Sequence, residues 1–405
     1  MPHLLRLTTL TLVVFLFSGC HIGRFFLWNF ADVNDYKKFP ATTIEAPETP
    51  FAFSYAPDSI QQKLAETQLT ADGEAYTLPG YVGEYGKSLA FLIIRNDTIL
   101  YESYFDGYAA DGPPHPSFSV AKSFVSALVG FAVQEGAIER IDDPVTRYLP
   151  ELADRDPKFS RLTIEHLLNM RSGLDYNENS YFNPFAPVAR DYYGRQLEKY
   201  TLERTTFAAE PDSYREYQSV NTQLLGLIVE RATGKTLPAY LEEKVWQPLG
   251  MEFPASWSYD SKKGGMTKAF CCLNAQARDF AKFGRFYLQG GQWQGKQLLD
   301  ADWVERSTTP NYDNSCYQYQ WYSYKHWSYS PDSTAAVKAA PEGVDVFSQK
   351  DGQYAFRKCG PDFLAIGILG QYIYVHPEKN LIMVRLGKDD KVGYQSLFRA
   401  LSLKL

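Results

Sequence analysis

Strand-forming segments are gathered near the two ends of the globular part of this chain, with a long helical and loop-rich stretch between them. That layout limits the folds open to it. Near the front, Ala90 to Ile94 is apolar and strand-prone, Asn96-Asp97 is a turn signal, and Thr98 to Phe105 returns rich in aromatics, the pattern of a β-hairpin. Near the back, Phe363 to Ile368, Tyr372 to His376 and Leu381 to Leu386 read as three strands, the last two joined through Pro377-Glu378-Lys379-Asn380. Strands need neighbours for their N–H and C=O groups. The expectation is therefore an α+β fold in which a single sheet, flanked by helices, draws strands from both ends.

Helical periodicity fills the rest. Val120, Phe124, Leu128 and Phe131 recur at helical spacing between Ser119 and Gln134, and Gly136 ends the run. Leu162 to Asn169 reads as a short helix with Thr163 as its cap, Val220 to Thr233 as an amphipathic helix closed by Gly234, and Pro238 to Val245 as another. Ala275 to Leu288 carries Phe280, Phe283, Phe286 and Tyr287 before Gly290-Gly291, and a last helix runs from about Tyr394 to Leu403. Residues of about 140–265 form an inserted helical lobe in this reading, within one globular region, 51–405.

Before that region lie two segments of another kind. Arg6 precedes an apolar run from Leu7 to Phe17, too short for a comfortable membrane span of ~20 residues, followed by Phe17-Ser18-Gly19-Cys20. Small residues before a cysteine resemble the cleavage box of bacterial lipoproteins, which makes 1–19 a signal peptide and Cys20 the lipid attachment site. The resemblance implies an exported cell-envelope lipoprotein held at a lipid membrane through its N-terminus; an uncleaved anchor is the alternative. Residues 20–50, with Phe25, Phe26, Trp28 and Phe30 ahead of Pro40, Pro47 and Pro50, read as an irregular membrane-proximal arm.

At 405 residues and a net charge of -6, with no dense Lys/Arg run, the chain has no nucleic-acid footprint. An exported compartment permits disulfides. Cys271 and Cys272 are adjacent and such neighbours rarely bond; Cys316 with Cys359 is a possible pair, and buried thiols are the alternative. The sequence holds no zinc-type Cys/His spacing, so no metal and no organic cofactor is expected. The oligomeric state is not legible.

The chemistry is concentrated at Ser119-Val120-Ala121-Lys122 and at Tyr217. Ser-x-x-Lys at a helix start puts a hydroxyl and an amine one turn apart on one face. There the serine is exposed, and negative charge developing beside it meets free backbone N–H groups. Alone the motif is common; its place, after a loop and at the head of an apolar helix, makes it informative. The chain has no Gly-x-Ser-x-Gly, which disfavours an α/β-hydrolase triad, and Asp142-Asp143-Pro144 reads as a turn.

Ser117 to Ser123 resembles the nucleophile segment of the serine β-lactamase and penicillin-binding superfamily. Leu162 to Leu174 resembles a helix and turn of its class C-related hydrolases, Tyr214 to Gly234 the segment that brings their catalytic tyrosine, and Asn274 to Gly295 further stretches of the same group. The likeness spans about residues 85–400 and implies a β-lactamase/transpeptidase-like fold with an antiparallel sheet. Two departures, Tyr217-Gln218-Ser219-Val220-Asn221 for Tyr-Ser-Asn and Gly367-Ile368-Leu369-Gly370-Gln371 for Lys-Thr-Gly, are similar to the 6-aminohexanoate-dimer hydrolase and esterase subgroup. The missing lysine removes a cation that holds the carboxylate of β-lactams.

The resemblance implies Ser119 as nucleophile, Lys122 and Tyr217 as a coupled proton-transfer pair with Tyr217 the acceptor, and backbone N–H groups of Ser119 and Ile368 as the oxyanion hole. Tyr176, Ser219 and Gly370 are candidate substrate contacts. Tyr176 has an ordinary loop role as its alternative, and Ser219 a helix-cap role. The expected activity is hydrolysis of a small amide, ester or peptide through an acyl-enzyme. A D-amino-acid peptidase or weak β-lactamase, and a non-catalytic lipoprotein that binds cell-wall fragments, are the rivals.

Overall fold

The computed structural model describes residues 21–28, 30–180, 182–309, 316–340, 346–349 and 352–405. Cys20 and the apolar segment before it lie outside the described residues. Among those residues no helix is long and apolar enough to cross a membrane.

The expected hairpin forms from Ser88–Arg95 and Thr98–Tyr104, turning through Asn96 and Asp97, both at positive φ. It joins the three C-terminal strands, Tyr354–Gly367, Gln371–His376 and Leu381–Gly387, with Leu381–Gly387 antiparallel to Ser88–Arg95. The two ends of the chain thus meet at the middle of a nine-stranded sheet. Its order runs from Tyr317–Gln318 and Trp321–Ser330 through those five strands to Ser54–Tyr55, and Val346–Ser348 pairs beside Tyr354–Gly367. The sheet is antiparallel except at Ser54–Tyr55, which runs parallel to Thr98–Tyr104.

Ser88–Arg95 reads as an apolar run without alternation because both its faces are covered. Phe91 and Ile93 face the C-terminal helix Tyr394–Lys404 through Phe398 and Leu401, while Leu92 and Ile94 belong to the larger core with the helices Ala121–Gln134 and Ala277–Leu288. Phe124 stacks on Phe283 with ring centroids 3.7 Å apart, which locks the helix behind Ser119 to the helix that lies on the sheet.

Three expectations need correction. The sheet is not single: Ala41–Ile44, Ala255–Ser258, Leu273–Ala275 and His115–Pro116 make a second, four-stranded sheet. These strands are too short for an alternation to stand out in sequence. For the same reason the helix expected from Ala275 begins only at Ala277. Residues 20–50 are not irregular where described: His21–Trp28 is a helix, Phe25, Phe39 and Ile44 are buried, and Ala41–Ile44 pairs with Ala255–Ser258.

The middle stretch is helical and loop-rich as expected. It holds Ile164–Leu168, Pro187–Tyr193, Leu197–Glu203, Ser219–Thr233 and Leu237–Leu241. Thr163 caps its helix by accepting from the His166 N–H, and the His166 ring accepts from the Thr163 N–H in return. His166 is therefore engaged structurally.

Candidate active site

Ser119 sits in a 3-10 turn, Phe118–Val120, that runs into the Ala121–Gln134 helix. The chain enters it through Phe118 at φ 44, a conformation that non-glycine residues adopt only where the surroundings hold it. Lys122 is fully buried one turn further on, with Nζ 2.9 Å from Ser119 Oγ. The same Nζ donates to the Phe270 carbonyl at 2.9 Å and to Ser219 Oγ at 3.1 Å. Burial pushes this amine from its ordinary 10.5 down to about 8, against the Glu178 charge, which pulls it back up.

Glu178 is a residue that motif reading missed. It follows Tyr176 by two positions in a loop with no motif of its own. Its carboxylate accepts from the Ser219 hydroxyl at 2.7 Å and from the Ser219 N–H at 2.8 Å. Ser219 heads its helix without capping it; the cap position belongs to Gln218, which makes no side-chain cap. The Ser219 hydroxyl instead bridges Lys122 to Glu178, so the cap alternative falls away.

Tyr217 lies against the same cluster. Its ring centroid is 5.0 Å from Lys122 Nζ, and its hydroxyl has Ser119 as a hydrogen-bond partner. Tyr322 stacks on it at 6.3 Å and Tyr317 meets it edge-on at 5.9 Å. Burial, with those two phenols nearby, raises Tyr217 well above the usual tyrosine value. At neutral pH the resting pair is therefore largely an ammonium beside a neutral phenol, with the neutral amine gained as the pH passes about 8.

The other side of Ser119 is backbone. The end of the Tyr354–Gly367 strand lies so close to the nucleophile turn that a Cβ on Gly367 would stand 2.5 Å from the Ser117 carbonyl. Ile368 follows, in the turn rather than in the strand, half-exposed. Arg385 holds that turn: its Nη1 donates to the carbonyls of Leu369 and Gly370 at 2.8 and 2.6 Å, and its Nη2 to Gly86 at 2.6 Å. Gly370 has φ 74, and a Cβ there would collide with Arg385 Nη1. Gly370 therefore serves the turn and stands off the cavity wall.

Tyr176 is likewise displaced from the expected role. It is buried in the larger core, with its hydroxyl toward Asp191.

A cavity of about 270 Å³ opens beside Ser119 and Ser219, lined among others by Phe30, Phe118, Glu178, Phe182, Cys271 and Ile368. Cys271 and Cys272 are joined by a disulfide, contrary to the expectation for neighbours; Cys272 at φ 71 turns the backbone so that the pair closes. This turn carries the Phe270 carbonyl that anchors Lys122. Cys316 and Cys359 form a second disulfide, which settles the alternative left open for that pair. Among the described residues no cluster of three or more His, Cys, Asp or Glu stands ready to hold a metal.

A serine at a helix head, a buried amine in reach of its hydroxyl, and an antiparallel sheet with a strand end beside it define a serine hydrolase of the β-lactamase-like fold. The beta-lactamase family model matches residues 78–400, and the chain belongs to that family. It is 29% identical over 291 residues to the 6-aminohexanoate-dimer hydrolase of Paenarthrobacter ureafaciens, covering 69% of this chain and 68% of that protein. Esterase EstB of Burkholderia gladioli is 36% identical over 144 residues, 33% of this chain and 36% of the esterase. A solved Bacillus anthracis structure, provisionally assigned as a 6-aminohexanoate-dimer hydrolase, matches with a TM-score of 0.72 at 21% identity, covering 93% of this chain and 92% of that one. At that identity the likeness is one of fold.

Proposed function

We propose that the protein hydrolyses an ester or amide through an acyl-enzyme on Ser119. The observation that carries the reading is Lys122 Nζ, 2.9 Å from Ser119 Oγ and buried enough that its basicity falls to about 8. A neutral amine at that distance takes the Ser119 proton as Oγ attacks the substrate carbonyl. The oxyanion receives the N–H groups of Ser119 and Ile368.

Tyr217 keeps its proton at rest, so its role is to pass a proton to the leaving group and recover one from Lys122. Water then enters by the reverse route: Lys122 accepts its proton as its oxygen bonds to the acyl carbon, the bond from that carbon to Ser119 Oγ breaks to release the acid, and Lys122 returns the proton to Ser119 Oγ. The sequence-based reading has Tyr217 as the partner that takes and returns the proton; here the pair is kept and the first acceptance is given to Lys122. The pair still acts as a unit.

The test is a fluorophosphonate probe and short p-nitrophenyl esters applied to the full chain beside Ser119→Ala. Labelling and hydrolysis that disappear in the variant are expected. Hydrolysis at the wild-type level in Ser119→Ala overturns the assignment.

Export and lipid attachment at Cys20 are part of the same proposal and rest on the Phe17-Ser18-Gly19-Cys20 box. Cys20→Ser is expected to release the protein from membranes; continued association points to an uncleaved anchor.

A further inference from the structure

The cavity beside Ser119 carries information on the substrate that the catalytic groups do not. Beyond the nucleophile turn, Ser219 and the Ile368 turn, its wall draws on Phe30 and Ala31 of the N-terminal segment, on the middle stretch through Phe182, Val188 and Ala189, and on the Phe270–Cys271 turn. Phe30 meets Phe182 edge-on at 4.9 Å and is itself backed by buried Phe25 at 5.5 Å. Phe30 has φ 72, a backbone state that a bulky residue holds only under constraint from its neighbours. Both rings remain in contact with solvent, Phe182 at 80% and Phe30 at 39% exposure. Two aromatic rings held together at a cavity mouth leave apolar area that an apolar occupant would remove from water.

The charge of the wall is equally specific. Among the described residues that line the cavity, Glu178 is the one charged side chain. Its carboxylate already accepts two hydrogen bonds from Ser219. A substrate carboxylate brought in here meets a like charge in a poorly solvated place, and Lys122, the nearest cation, does not line the cavity: it lies behind Ser119 and Ser219, hydrogen-bonded to both.

We propose that this cavity takes an uncharged, lipophilic acyl group, and that the membrane-proximal segment supplies part of the pocket that selects it. This rests on the acyl-enzyme reading of Ser119. At about 270 Å³ the space lies near the lower end of small-molecule pockets. It suits a short alkanoyl or an aryl group seated between Phe30 and Phe182, with its carbonyl at Ser119.

The experiment uses four p-nitrophenyl esters with one leaving group: acetyl, hexanoyl, 6-aminohexanoyl and the half-ester of adipic acid. The last three share six carbons and end in a methyl, an ammonium and a carboxylate. With the full chain in detergent, kcat/KM for hexanoyl is expected to exceed that for acetyl by about tenfold or more, the gain a few buried methylenes supply. The two charged esters are expected to fall at or below acetyl. In Phe182→Asp, whose site is 80% exposed and so carries little of the fold, the hexanoyl-to-acetyl ratio should drop and the 6-aminohexanoyl ester should gain.

Equal rates on acetyl and hexanoyl, both dependent on Ser119, overturn the lipophilic pocket and leave the nucleophile standing. A preference for the ammonium or the carboxylate ester also overturns it. No hydrolysis of any ester and no fluorophosphonate label on Ser119, in a folded chain, removes the acyl-enzyme reading and this proposal together.

Discussion

Ser119 stands between two unlike walls. Toward the Ser219–Thr233 helix the working groups are side chains: Lys122, Ser219 and Glu178 form a buried hydrogen-bonded line, with Tyr217 against it. Toward the end of the Tyr354–Gly367 strand the proposed working group is a peptide N–H, that of Ile368, in a turn whose carbonyls accept from Arg385. The first wall tolerates almost no change of residue type, because each atom carries a proton or a charge. On the second, an apolar side chain at Ile368 is compatible with a backbone role, provided that the backbone stays where Gly367, Gly370 and Arg385 set it. The difference teaches that a departure from a family motif on the backbone side says little about whether the step can occur. It says more about which substrates are held.

The comparison can be broken most directly on the side-chain wall. Ser119→Ala is expected to abolish turnover. Lys122→Met and Tyr217→Phe are each expected to cost on the order of a thousandfold in kcat, with the double variant little worse than either single one. Small additive losses in steady-state kinetics would dissolve the proton-transfer unit.

On the backbone wall, Arg385→Met should lower kcat by roughly tenfold or more while leaving fluorophosphonate labelling of Ser119 detectable, since the donor is misplaced rather than deleted. An unchanged kcat in a folded variant would mean that the Ile368 turn needs no clamp. Arg385 also donates to Ser88 Oγ and to Gly86, so a fall in melting temperature accompanies the change.

A smaller effect sharpens the electrostatics of the first wall. Activity needs neutral Lys122, so kcat/KM should rise with pH through about 8 and level off above it. The Glu178 carboxylate favours the ammonium, so Glu178→Gln should move this rising limb to lower pH. A shift to higher pH, or no rising limb in the wild type, contradicts the assignment of Lys122 as base.

Smallest of all is the expected effect of opening the Cys271–Cys272 bond. Mild reduction should lower activity severalfold by loosening the Phe270 carbonyl that anchors Lys122, with the wild-type rate recovered on reoxidation. Replacing Cys316 and Cys359 by serine should instead lower thermal stability, read by melting temperature, since that bond joins positions 43 residues apart in sequence. Reduction without effect on a protein lacking the Cys316–Cys359 bond would show that the turn holds itself.

The strands at both ends, the hairpin turn at Asn96-Asp97 and the helices after Ser119, Thr163 and Ser219 were legible because periodicity and turn chemistry are local properties. The nucleophile and its lysine were legible for a related reason. One helical turn separates them, so their spacing in sequence is their spacing in space. Tyr217 was found through its segment's likeness to a family, and not through geometry.

What the chain could not disclose residue by residue is what depends on residues far apart. Glu178 is hydrogen-bonded to Ser219, which is hydrogen-bonded to Lys122, across 41 and 97 residues of sequence, and Arg385 reaches the Ile368 turn because two strands lie side by side. Phe30 meets Phe182 across a gap in sequence that no pattern bridges. Tyr176 and Gly370 look like cleft residues by position, yet one is drawn into the core and the other under a guanidinium. Sequence by itself determined the strongly periodic elements and the spacing of Ser119 and Lys122, since both follow from a few consecutive residues. Tertiary structure alone decided which loop supplies the second charge, what clamps the Ile368 turn and what lines the cavity, because those are fixed by packing between segments that sequence order does not bring together.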